Sequence, residues 1–87
     1  MKRIKEMPLV LVHWLDIKDK LGWLDVEDFK KDTPVLCHAV GYLYEKNKKV
    51  VKIIGTLAED MDDNLGRTSL IPTGCIKSIE YLTIRKG

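Results

Sequence analysis

Residues 35–58, VLCHAVGYLYEKNKKVVKIIGTLA, decide how this chain is read. Two runs rich in β-branched and aromatic residues, Val35 to Tyr44 and Val50 to Ala58, flank the polar segment Glu45 to Lys49. Such runs fit a pleated, half-buried surface, and a short polar segment between them predicts a β-hairpin. Asn47 is the turn residue best able to take a left-handed conformation. Gly55 is expected to mark a bulge or a sharp bend in the second of the two strands.

Working outward, Pro8 to Leu15 reads as a preceding strand, with proline at its first residue, where a missing N–H does least harm. From Asp16 to Thr33 the pattern changes to charged residues with scattered apolar anchors, Ile17, Leu21, Trp23, Leu24, Val26 and Phe29. This predicts a long folded loop, with Asp25 as N-cap of a short helical turn over 26–31 that carries acids early and lysines late. Pro34 ends it. Beyond the hairpin, Glu59 to Arg67 predicts an exposed acidic loop, Thr68 to Ile71 a short fourth strand, Pro72 to Cys75 a tight turn, and Ile76 to Ile84 a fifth strand. Five short strands, a long first connection and a proline turn before the last strand resemble the layout of a small Src-homology-3-like barrel. In that fold a 3₁₀ turn joins the last two strands, as Ile71-Pro72-Thr73-Gly74-Cys75-Ile76 would do. The expectation is an all-β, five-stranded barrel of that kind, with a long first loop carrying a short helical turn. It is one domain over residues 1–87, with 1–6 a flexible basic terminus.

Composition narrows the class of function. An 87-residue chain supports one core. Fifteen Lys+Arg against thirteen Asp+Glu give +2, too balanced for net charge to predict a polyanion partner, so any electrostatic argument is local. The apolar run Leu9 to Val12 is too short for a signal-peptide core or a membrane span, so a cytoplasmic protein with no membrane partner is expected. Cys37 and Cys75, 38 positions apart, match no zinc spacing and read as reduced thiols acting as small apolar residues.

Catalytic and metal chemistry find little support. Asp60-x-Asp62-x-Asn64 resembles the start of a calcium loop, but Leu65 stands where glycine is needed and Ile71 where the bidentate acid should be. Cys37 and His38 are adjacent in a strand, so their side chains leave opposite faces and cannot act as nucleophile and base. No Gly-rich phosphate loop, H-E-x-x-H or G-x-S-x-G is present. The expectation is a protein without catalytic residues, metal site or cofactor.

Binding residues are easier to nominate. Trp14 reads as a core anchor, whereas Trp23, on the long loop beside acids, stands between packing on the barrel mouth and lining a groove. Tyr42, Tyr44 and Lys46 alternate onto one predicted strand face and run into Lys48, Lys49 and Lys52. Aromatics beside lysines make a surface for a nucleotide-like ligand or nucleic acid, although tyrosines also favour strands and lysines protect strand edges. The first strand is apolar on both sides, with Val10, Val12 and Trp14 on one and Leu9, Leu11, His13 and Leu15 on the other. A barrel has one interior, so the second row is expected under the long loop or in a homo-oligomer interface.

Four short elements in order, Val12-x-Trp14-x-Asp16, Gly22-Trp23, Gly41-Tyr42-Leu43 and Ile71-Pro72-x-Gly74-x-Ile76-x-x-Ile79, resemble a group of small bacteriophage and prophage accessory proteins. The resemblance covers roughly positions 10 to 82 and carries no reaction and no assigned site residues. It implies a non-catalytic, phage-encoded binding protein acting in the host cytoplasm as a counter-defence factor, on a host protein or a small signalling ligand. The alternative is an Sm-like small barrel that binds RNA or DNA.

Overall fold

The computed structural model of the chain describes residues 6–19, 21–58 and 64–83. Strands β1 (Leu9–Asp16), β2 (Val35–Lys46), β3 (Val50–Ala58), β4 (Asn64–Pro72) and β5 (Ile76–Tyr81) form one antiparallel sheet in the order β4-β3-β2-β1-β5. The single described helix, α1 (Val26–Lys31), lies in the β1–β2 connection, and a 3₁₀ turn, Thr73–Cys75, joins β4 to β5. The all-β, five-strand expectation holds. Barrel closure does not: β4 and β5 share no ladder among the described residues, so the sheet stays open along that seam.

One face of the sheet makes the core. Val10 and Val12 of β1, Val51 and Ile53 of β3, and Ile71 of β4 are buried together, with Trp14, Ala39, Leu43, Ile76 and Ile79 packed against them. Ile71 and Ile76 come from strands at opposite ends of the order, so the sheet must curl strongly over this face to bring them into one cluster. Trp14 sits where the sequence put it, against the core. Gly41, opposite Val10, is required by crowding: a Cβ there would stand 3.0 Å from the carbonyl oxygen of Ile54.

Several boundaries and turns differ from expectation for identifiable reasons. β4 starts at Asn64 rather than Thr68, because Leu57 and Ala58 find ladder partners in Leu65 and Asn64, and the polar sequence 64–67 continues a hairpin rather than a loop. The remainder of the expected acidic loop, Glu59 to Asp63, lies outside the described residues, as do Met1 to Lys5 and the end of the fifth expected strand at Ile84. Asn47 does not use a left-handed backbone. Its Oδ1 accepts from the N–H groups of Lys49 (2.8 Å) and Val50 (2.9 Å), and its carbonyl accepts from Thr73 Oγ1 (2.8 Å), which ties the β2–β3 turn to the 3₁₀ turn. No bulge falls at Gly55, where β3 and β4 stay in register on both sides; register shifts fall in β2 between Leu43 and Glu45 and, against β5, in β1 between His13 and Trp14.

Candidate binding surface

The β1–β2 connection is an arm rather than a covering loop. Asp25 caps α1 by accepting from the Glu27 N–H at 3.1 Å, Glu27 and Asp28 occupy its first turn and Lys30 and Lys31 its last, as the macrodipole favours. An ion pair from Lys18 Nζ to Asp32 Oδ1 (3.4 Å) draws the two limbs of the arm together. Gly22, at φ 92°, turns the chain between Leu21 and Trp23. Yet α1 buries no residue, and Leu21 and Trp23 are fully exposed, at 103% and 105%. Ile17, Val26 and Phe29 are also mostly exposed. Of the two roles open to Trp23 in the sequence, packing on the sheet is absent. Consistent with an arm that stands off, the radius of gyration is 16.7 Å against roughly 12 Å for a compact domain of this length.

Several concavities accompany the arm. One of about 270 Å³ lies within it, lined by Lys18, Leu24, Val26, Phe29 and Asp32. A larger cleft of about 420 Å³ opens where the arm leaves the sheet, between Trp14, Leu15 and Ile17 on one side and Leu70, Pro72 and Cys75 on the other. Cys37 and Cys75 are both free thiols, the first half-buried and the second exposed at this cleft.

The sheet's outer face carries the residues expected at an oligomer interface. Leu9, Leu11, His13 and Leu15 of β1 stand opposite Tyr42, Val40, His38 and Leu36 of β2, and directly opposed residues share a face. Leu9, Leu11 and His13 are half-buried, while Leu15, Leu36, His38 and Val40 are exposed. Among these apolar side chains lies a polar row. His13 Nε2 meets Glu80 Oε2 of β5 at 2.6 Å, and His13 Nδ1 meets His38 Nδ1 at 2.6 Å, with the two rings edge to face. With both rings neutral, one tautomer set satisfies the row: His13 Nε2–H donates to Glu80, and His38 Nδ1–H donates to the His13 Nδ1 lone pair. Cys37 pairs with Trp14 and so lies on the core face, which keeps it away from both histidines.

The tyrosine and lysine positions do not form one face. The extra residue at Tyr44 shifts the phase of β2, so Tyr42 pairs with Ile54 and Glu45 with Lys52 on the outer face, while Lys46 pairs with buried Val51 on the core side of the ladder. Expected alternation of Tyr42, Tyr44 and Lys46 is thereby corrected by the bulge. Tyr44 and Lys52 do line one shallow groove of about 290 Å³ with Ile54, Thr68 and Leu70, but Lys52 is engaged by Glu45 at 3.0 Å. Lys48 and Lys49 are exposed on the turn beyond.

The sequence raises His38 only as a residue that His13 could meet from a neighbouring strand, with no binding role, and does not single out Glu80. The signal that would have found them is strand register, which the unknown course of an 18-residue connection hides. Compared with protein-family models, curated proteins and solved structures, the chain matches none.

Proposed function

We propose that this chain is a non-catalytic binding protein that takes a partner protein on its β1–β2 arm and associates with itself through the outer face of its sheet. The observation that carries the reading is Trp23, fully exposed on an arm that the chain's own sheet does not cover. Aromatic side chains presented in this way are the residues from which interface hot spots are built. The cleft at the arm's base, with Trp14, Ile17 and Pro72 on its walls, offers a second apolar contact next to it.

We read the fold as a Src-homology-3-like small barrel with an open seam. Support comes from the strand order, the long arm in the first connection, the 3₁₀ turn before the last strand, and edge-strand residues Ile71 and Ile76 meeting in one core. In such an arrangement the first connection and the 3₁₀ turn flank the binding cleft, an argument from fold analogy. Given the resemblance to phage accessory proteins, the partner is a host protein of the cytoplasm, bound to blunt a defence. The Sm-like nucleic-acid reading draws less support, because the bulge at Tyr44 separates Lys46 from Tyr42 and Glu45 engages Lys52.

A photo-crosslinking residue placed at Trp23 in the producing host tests this. One protein should be captured there and not by the same residue at Lys48, and the purified pair should bind with an affinity that Trp23→Ala weakens. Equal capture at both positions, or a purified pair indifferent to Trp23→Ala, would overturn it.

A further inference from the structure

We propose that His13 and His38 form a two-histidine clip for a divalent transition-metal ion of tetragonal or octahedral preference, with nickel(II) and copper(II) the best fits. This site is independent of what the arm binds, but it lies on the face proposed for self-association, so it is tested on the monomeric chain at low concentration.

The clip is built by the sheet. His13 on β1 and His38 on β2 are direct register partners, so their side chains leave the same face side by side. Their Nδ1 atoms already converge to 2.6 Å, and the rings cross at 81°. Glu80 supplies what a metal-binding histidine usually has, a carboxylate on the other ring nitrogen. By accepting from His13 Nε2–H at 2.6 Å it fixes the tautomer in which the His13 Nδ1 lone pair points at His38. In the empty site that lone pair accepts the His38 Nδ1 proton. Metal entry needs that proton to move only to His38 Nε2, by exchange with water, since His38 is exposed. Both Nδ1 atoms then donate to the ion, both rings stay neutral, and no net proton is released.

Geometry selects among ions. At metal–nitrogen distances of about 2.0–2.1 Å, a 90° angle at the metal sets the two nitrogens about 2.9 Å apart, and a tetrahedral angle about 3.3 Å. The observed 2.6 Å lies nearer the first, but ring centroids 4.8 Å apart set the two Nδ1 atoms almost head-on, so both rings must turn outward, by up to about 45° each, before their lone pairs meet on one ion. Imidazole suits nickel and copper, whose common geometries have such angles. The remaining coordination positions face outward from an exposed histidine and are open to water or to a donor from another molecule. Only two histidines occur in the chain, so in the monomeric chain any two-imidazole signature comes from this pair.

The test uses the tag-free full chain and nickel(II), which avoids oxidising Cys37 and Cys75. Calorimetry should give one ion per chain, and the imidazole proton resonances of both histidines should broaden together in the same titration. His38→Gln should abolish binding, and Glu80→Gln should weaken it by about 10- to 100-fold. His38 is a surface residue, so its variant remains folded even if His13→Gln does not. Absence of heat and of broadening up to the millimolar range overturns the proposal. So does nickel binding that survives His38→Gln.

Discussion

Trp23→Ala removes the largest side chain of the arm, and its position fixes two magnitudes at once. Because Trp23 is fully exposed and packs on nothing in its own chain, unfolding stability should change by no more than about 0.5 kcal/mol. Docked on a partner, a tryptophan buries about 150–250 Å², which at about 25 cal/mol per Å² sets a ceiling of about 4–6 kcal/mol. Interface costs and imperfect desolvation reduce this to the about 2–4 kcal/mol typical of a hot spot, an affinity loss of about 30- to 900-fold. Urea unfolding followed by circular dichroism reads the first quantity, and calorimetry with the crosslinked partner reads the second. A stability loss above about 2 kcal/mol would show that Trp23 anchors the fold, and an unchanged affinity would remove it from the interface. Either result refutes the reasoning.

Other substitutions separate the core from the outer face. Val12→Ala, in the middle of a small core and fully buried, should cost about 2–3 kcal/mol, the transfer of two methyl groups plus the cavity they leave, measured by urea unfolding. Leu36→Glu, exposed opposite Leu15, should abolish the proposed self-association with the circular dichroism spectrum unchanged; sedimentation that finds the unmodified chain monomeric up to the millimolar range contradicts this. Asn47→Ala should cost about 1 kcal/mol, since it orphans two backbone N–H groups in a turn where water can reach them. Single-stranded oligonucleotides should show no binding at physiological salt, and binding that Lys48→Ala or Lys49→Ala weakens in a salt-dependent way would favour the nucleic-acid alternative.

Much of the architecture was legible because it rests on local chemistry. The run Val50 to Ala58 matches β3 at both ends, Asp25 caps a helix at Val26–Lys31, and Thr73–Cys75 forms the turn after Pro72. Doubly apolar β1 called for a cover over its second row, by the long loop or by another chain; the long loop is an arm that leaves Leu15, Leu36 and Val40 exposed. Features that depend on pairing were not legible. The bulge at Tyr44 leaves no mark in a run of tyrosine and leucine that alternates well, yet it reverses the face on which Lys46 stands. Asn47 was placed in the turn for the right residue type and the wrong mechanism, because side-chain capping and a left-handed backbone both favour asparagine. The site was the least legible part. Trp23 was nominated, but its exposure follows from how the whole arm leaves the sheet, and the His13–His38–Glu80 row joins residues 25 and 67 positions apart.

The measurement that bears most directly on the arm as a docking element is iodide quenching of Trp23 fluorescence in a Trp14→Phe background, which leaves Trp23 as the chain's one tryptophan. In the isolated chain at low concentration, emission should be water-like and fully quenched. On adding the crosslinked partner it should shift to the blue and become protected. Blue, protected emission from the isolated monomer would mean that the arm folds back over its own sheet, and the account of an uncovered binding arm would fail.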